Sequence, residues 1–167
     1  MRSSYRTDDQ LLVVPLDVTS EESVAAAKAI VEEKLASSNS NSSGSKKGKA
    51  SNSGLPGLGL WSVVNNAGVL SLLEIELGDM TPFTRQMEIN CFGLVRVTKA
   101  FLPVLRRNRL NRGRVVNVAS LAGRFTMPGF VAYCMSKGAV ITFSDGLRRE
   151  AAKWGIEVFC VEPHLYK

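Results

Sequence analysis

Tyr133 and Lys137 stand four residues apart in Tyr133-Cys134-Met135-Ser136-Lys137, and Ser120 precedes the tyrosine by thirteen residues. On a helix, a four-residue step puts two side chains on one face, about one turn apart. A free tyrosine, with a pKa of about 10, is a poor proton donor or acceptor near neutrality. A lysine cation beside it favours the phenolate and brings the hydroxyl toward the working range of a general acid/base. A serine hydroxyl arriving from a strand end could hold a substrate oxygen against that phenol. This is equipment for moving a proton while a cofactor moves a hydride. Alone, a Tyr-x-x-x-Lys step reads more plainly as a half-buried tyrosine beside a solvated lysine, and the surrounding sequence has to decide.

Five further stretches follow in a fixed order. Val63-Val64-Asn65-Asn66-Ala67-Gly68 is an apolar run ending in a polar, Gly-terminated turn. Asn90 lies in Met87-Glu88-Ile89-Asn90-Cys91-Phe92-Gly93, and Ser120 ends Gly113-Arg114-Val115-Val116-Asn117-Val118-Ala119-Ser120. Phe143-Ser144-Asp145-Gly146-Leu147-Arg148-Arg149-Glu150 follows the Tyr/Lys pair, and Val161-Glu162-Pro163 comes last. With these intervals the chain resembles the short-chain dehydrogenase/reductase family from about Leu12 to Lys167, and within it the retinol dehydrogenase and 17β-hydroxysteroid dehydrogenase branch. As a set these motifs are specific.

The resemblance implies an NAD- or NADP-dependent oxidoreductase that acts on a secondary or allylic alcohol or its carbonyl, a retinoid or steroid by branch. It implies Tyr133 as acid/base, Ser120 steadying the substrate oxygen, Lys137 assisting Tyr133 and contacting the nicotinamide ribose, and Asn90 supporting a proton relay through water. Cofactor contacts fall on Asp17 and Val18 at the adenine end, on Asn66, Ala67 and Gly68 in the cleft beside the adenine-side ribose, and on Tyr133, Lys137 and Pro163. The helices carrying Asn90 and Tyr133 would form a homodimer interface. Two residues keep plainer alternatives: Asn90 as a core amide satisfied by backbone, Asp17 as a turn former or N-cap. Where relatives have Pro-Gly after the last strand, this chain has Pro163-His164. His164 is its one histidine, and a lone histidine without ligand partners reads as a turn residue rather than a metal site.

The elements that must position these groups are legible from periodicity. Residues 11–17 read as a short strand, and Thr19-Ser20-Glu21-Glu22 as a capping box with Thr19 at the N-cap. A helix follows from Ser20 to about Ala36, with Val24, Ala27, Val31 and Leu35 near helical spacing. Residues 37–54, Ser/Asn/Gly/Lys-rich without a large apolar side chain, read as a disordered insertion. Strands are expected over 60–64, 115–119 and 156–161. A long helix opens at Thr81-Pro82 with the proline at N1, and another runs from about Val131 to Trp154 with Gly155 at C′. Phe83, Met87, Asn90, Leu94, Val97, Phe101 and Val104 make one stripe, and Pro103 should kink the last turn. Alternating strands and helices make an α/β fold with a parallel sheet.

The family's opening Thr-Gly-x-x-x-Gly-x-Gly turn is not in this sequence, and Gly54-Leu55-Pro56-Gly57-Leu58-Gly59 is no substitute for it. The 167 residues therefore read as a single, incomplete dinucleotide-binding domain, a partial doubly wound Rossmann-like sheet lacking its first two strands. Two readings of the chain follow: most of an oxidoreductase, or a catalytically inactive fragment that acts through its dimer helices. Net charge is +6, from 21 basic and 15 acidic residues. Much of the excess is Arg106, Arg107, Arg109, Arg112 and Arg114, which read as a helix end and its loop more readily than as a nucleic-acid patch. Three cysteines in apolar context read as reduced core residues. With no signal peptide or membrane span in the sequence, a cytoplasmic or cytosol-facing endoplasmic reticulum location is expected.

Overall fold

Three short apolar runs form one parallel sheet in the order β1 (Ser62–Asn65), β2 (Arg114–Val118), β3 (Glu157–Val161). The structure, a computed structural model, describes residues 11–41, 59–107 and 113–164. In register, Val63, Val115 and Val158 form one row across the strands, and Asn65, Asn117 and Cys160 another. Side chains alternate along a strand, so these two rows share a face. Helices α1 (Glu21–Asn41), α3 (Leu94–Arg106) and α4 (Val131–Ala151) supply the apolar groups packed there. Leu105, Leu147 and Ala151 close over Val115 and Val158, while Val24 of α1 joins Val97, Phe101 and Val104 of α3. At about 1.5–3 kcal/mol for each buried side chain of this size, the contacts hold the helices to the sheet. The row Val64, Val116 and Phe159 faces the other way, and Val64 there is 61% exposed. Among the described residues, the expected doubly wound architecture is thus present as its one helix-covered half.

Residues 11–17 correct the expectation of a strand. They carry no strand structure, and Leu11, Leu12, Val13 and Leu16 are exposed, Val13 by 70%. A strand exists only as a member of a ladder, and this segment has no ladder partner among the described residues. The helix start is also shifted by one residue. The Ser20 hydroxyl accepts from the Ser23 amide at 3.1 Å, making Ser20 the cap, whereas the Thr19 hydroxyl donates to the Asp17 carboxylate at 2.7 Å. Ser20→Ala is therefore expected to cost about 0.5–2 kcal/mol in urea unfolding, and Thr19→Ala, which loses an exposed bond, less. Helix α1 continues to Asn41, into the stretch expected to be irregular; residues 42–54 of that tract lie outside the described residues.

The long helix is three segments end to end: α2 (Thr81–Met87), a π-helical turn (Glu88–Gly93), then α3, with Pro103 inside its last turns. Pro82 sits in the first turn of α2, which starts at Thr81 behind Met80. Asn90 lies in the π turn, a local widening that re-aims side chains and recurs at functional positions. At the other end of the domain, α4 runs through a 3-10 turn into Gly155, whose φ of 67° is the left-handed cap expected for it. The arginine cluster is spent largely within the chain. Arg106 stacks on Trp154 at 4.3 Å and Arg114 on Trp61 at 4.9 Å, Arg107 pairs with Glu32, and Arg114 pairs with Glu157. Arg109 and Arg112 lie outside the described residues.

Candidate active site

Because the strands are parallel, their carboxyl ends meet on one side of the sheet, where ligands of such folds bind. A cleft of about 360 Å³ opens there. Asn66, Gly68 and Val69 line it from beyond β1, Val118 to Ala122 from the end of β2, and Pro163 and His164 from beyond β3; Tyr133 and Lys137 reach it from α4. Phe125, Met127, Phe130 and Leu70 complete a largely apolar wall. Of the residues singled out from the sequence, Asn66, Gly68, Ser120, Tyr133, Lys137 and Pro163 are brought to this one cleft.

Lys137 is only 4% exposed. Its Nζ donates to the Val118 carbonyl at 2.9 Å and stands 5.7 Å from the centroid of the Tyr133 ring. Burial, which penalises the charged amine, pulls its pKa below the usual lysine value, and a smaller Coulombic contribution from Cys160 opposes this. The Ser120 hydroxyl accepts from the Ala122 amide at 3.2 Å and donates, at a long 3.4 Å, to the Pro163 carbonyl. That carbonyl also accepts from the Leu121 amide, and Arg124 grips Glu162 through two hydrogen bonds of 2.7 Å. The turn after β3 is thereby tied to the turn after β2.

Asn90 does not line the cleft; it braces its wall. Its Oδ1 accepts from the Val69 amide at 2.7 Å, and its Nδ2 donates to the Val69 carbonyl and to Ser136 Oγ, both at 2.9 Å. This is the backbone-satisfied core amide considered for it, with a serine added. Behind it a second buried chain crosses the domain: Asn65 donates to Thr98 and to Asn117, and Asn117 donates to Ser144. No buried side-chain polar atom among the described residues lacks a partner.

Val18 and Ala67 fall elsewhere. With Asn66, Leu16, Val64 and Leu94 they line a second cleft of about 160 Å³. Asp17 lines neither. Its carboxylate accepts from the Thr19 amide at 2.9 Å as well as from the Thr19 hydroxyl, the local turn-forming role open to it. Those bonds, the hydroxyl's first, hold its pKa below the usual aspartate value. The Val18 carbonyl is fastened by Arg96 at 2.9 Å. Cys91, Cys134 and Cys160 are free thiols, the first two buried. Among the described residues no cluster of His, Cys, Asp and Glu could hold a metal ion, and no helix is long and apolar enough to cross a membrane.

Sequence comparison accounts for this arrangement. The short chain dehydrogenase family profile matches residues 55–167. The chain belongs to the short-chain dehydrogenase family. Relatives lie in the branch expected from the sequence. Retinol dehydrogenase 16 of Homo sapiens is 39% identical over 97% of this chain and 44% of that protein. Estradiol 17-beta-dehydrogenase 2 of Mus musculus is 37% identical over 95% of this chain and 36% of that protein. Mitochondrial D-beta-hydroxybutyrate dehydrogenase of Rattus norvegicus is 44% identical over 65% of this chain and 31% of that protein. A solved short-chain dehydrogenase from Streptomyces avermitilis, 29% identical, superposes with a TM-score of 0.73 over 92% of this chain and 48% of its own. The chain thus spans less than half the length of each of these.

Among short-chain dehydrogenase features, the sequence pattern located the Tyr/Lys helix, the serine strand end and the Asn-Asn-Ala-Gly turn. It passed over Val69, Ser136 and Gly123. Ser136 carried a signal, a hydroxyl three residues after Tyr133 and therefore able to bond back to that carbonyl. Gly123 carried one as well, a glycine in the turn directly behind Ser120.

Proposed function

We propose that this chain carries the chemistry of an NAD- or NADP-dependent oxidoreductase, reversibly transferring a hydride between the dinucleotide and a secondary or allylic alcohol. The observation behind the reading is the convergence of Ser120, Tyr133 and Lys137 on one cleft at the strand ends. As the phenolate, Tyr133 takes the proton of the alcohol, and as the phenol it returns that proton to the carbonyl oxygen in the reverse direction, while the Ser120 hydroxyl turns from Pro163 to hold the same oxygen. The Lys137 ammonium, fixed on the Val118 carbonyl, stabilises negative charge developing on the phenol oxygen. Asn90 acts by holding Val69, one wall of the cleft, against α4.

The cleft fits a dinucleotide. A Cβ on Gly68 would lie 3.3 Å from Asn90 Oδ1, a tight approach, and 3.5 Å from Lys137 Nζ, an ordinary contact, so the bare backbone of Gly68 keeps that part of the cleft wall open beside the ammonium. Tyr133, Lys137 and Pro163 would hold the nicotinamide half of the dinucleotide, Asp17 and Val18 its adenine end, and Asn66, Ala67 and Gly68 would line the cleft beside the adenine-side ribose. When bound, the dinucleotide supplies the hydride acceptor or donor. The wall of Phe125, Met127, Phe130 and Leu70 favours an apolar alcohol, a retinoid or a steroid, in keeping with the names of two of the relatives. Reduced thiols fit a cytosol-facing location.

A second reading rests on Phe92 and Met135, large apolar side chains exposed on the helical elements that carry Asn90 and Tyr133. They favour a homodimer through these helices, and with it an inactive chain that pairs with a longer relative. Fluorescence titration with NADH and with NADPH separates the two readings. Saturable binding that Lys137→Ala abolishes supports the enzyme and names the cofactor; no binding by the folded chain moves the pairing reading ahead. In the enzyme, Tyr133→Phe is expected to lower turnover of retinol or estradiol by about 10²–10⁴-fold with NADH affinity within about twofold, since only the proton-transferring oxygen is lost.

A further inference from the structure

Resting on that functional reading, we infer that Ser136 is a positioning residue, whose hydroxyl locks the turn bearing Tyr133 to the opposite wall of the cleft. Ser136 is fully buried. Its Oγ donates to the Tyr133 carbonyl at 2.7 Å and accepts from Asn90 Nδ2 at 2.9 Å. A back-bond to the carbonyl three residues earlier is what a helical serine makes by default, and by itself it means little. The second bond is different. It leaves the helix and reaches a residue 46 positions away, and that residue clamps both the amide and the carbonyl of Val69.

A hydroxyl has one proton to give, and here the Tyr133 carbonyl takes it, so toward Asn90 the oxygen can only accept. Asn90 in turn has both amide protons committed, one to Val69 and one to Ser136. The chain Val69–Asn90–Ser136–Tyr133 therefore has a single polarity and no spare partner. Val69 and Tyr133 line the same cleft from opposite elements, and this chain of bonds sets the spacing between them. Lys137 and Tyr133 share α4, so their mutual geometry does not depend on the brace. What depends on it is where the phenol stands relative to the strand ends and Ser120.

Without the hydroxyl, Asn90 keeps a buried N–H with no acceptor, and the contact between α4 and the π turn loosens. A displacement of a fraction of an ångström at the acid/base suffices for a drop in kcat on the order of tenfold. The test compares Ser136→Ala, Ser136→Cys, which keeps the volume but weakens both bonds, and Ser136→Thr, which keeps the hydroxyl. The expected result is kcat about tenfold lower in the Ala and Cys variants, an unchanged pH midpoint of kcat, NADH affinity within about twofold, and substantial recovery in the Thr variant. Amide exchange at Val69, whose N–H is held by Asn90, should quicken in the Ala and Cys variants and not in Thr.

Wild-type kcat in both the Ala and Cys variants overturns the inference. So does a loss that only follows the folded fraction and is not restored by threonine. A wild type that turns over no alcohol sinks the functional reading instead. The brace is then judged by the Val69 amide alone, and unchanged exchange there overturns it.

Discussion

Replacing Lys137 with methionine is expected to lower turnover by about a hundredfold or more while leaving the protein as stable at neutral pH, or more stable. The first half follows from the loss of the Lys137 ammonium, which faces Tyr133 in the cleft. The second half follows from burial. Methionine fills similar space without a charge to desolvate, and gives up the hydrogen bond to the Val118 carbonyl and the place of the ammonium 5.7 Å from the Tyr133 ring. The pH dependence carries a definite sign. Because the folded-state pKa of Lys137 is depressed by desolvation below the ordinary 10.5, the unfolded chain holds that proton more tightly than the folded one. Wild-type stability therefore gains with rising pH between the depressed value and 10.5, as the penalty is relieved. Methionine has no such titration. The variant's relative advantage in Tm should be largest below the folded-state pKa and shrink as pH approaches the ordinary lysine value. Thermal melts of both proteins from pH 7 to 10 check this, and a methionine variant that melts far below wild type at pH 7 would show that the ammonium stabilises the fold. A residue whose charge costs stability and whose removal costs activity is the usual mark of a functional site.

Adding one methyl group at Gly123 should do comparable damage by a different route. A Cβ there would lie 2.6 Å from Ile141 Cδ1 and 2.9 Å from the backbone carbon and oxygen of Lys137. The isoleucine can swing aside; the backbone in the middle of α4 cannot. The turn of residues 121–123, which Ser120 caps, has to lift off the helix and carry the Ser120 hydroxyl away from Tyr133. Gly123→Ala is expected to cost about 1–3 kcal/mol in urea unfolding and on the order of a hundredfold in kcat. Gly146→Ala makes the contrast. Beyond its own stretch of helix backbone, no atom of the described residues lies within 4 Å of its added Cβ; it sits within α4, and the same substitution should stabilise by roughly 0.5–1 kcal/mol through helix propensity alone. Equal effects at the two glycines would mean that backbone freedom, rather than close approach of the Ser120 turn to α4, is what Gly123 provides.

How much of this was legible beforehand depends on the range of each interaction. The Tyr133–Lys137 step, the stripe from Leu94 to Val104 and the left-handed cap at Gly155 all rest on contacts within a few residues, so periodicity alone located them. The family match followed from the same local motifs taken in order. Residues 11–17 have as strong a strand pattern as residues 62–65, yet among the described residues only the latter are paired. The pattern records a preference, and the second strand that turns it into a ladder lies elsewhere in the chain. The helix start at Ser20 rather than Thr19 was undecidable for a related reason, since either hydroxyl could cap and the Asp17 carboxylate took one of them.

By itself, then, the sequence of this protein determined the chemistry available: a phenol, an amine and a hydroxyl at spacings that a helix and a strand end can present, in a family with a parallel sheet. Tertiary structure decided which groups meet. It put Lys137 under the Val118 carbonyl, bound the Asn90 amide to the backbone of Val69, gave Ser136 a partner on another helix, and bonded the Asp17 carboxylate to Thr19. Helical spacing is fixed by backbone geometry over four residues, whereas a buried hydrogen bond is chosen among all the donors and acceptors that packing brings within about 3 Å of one another.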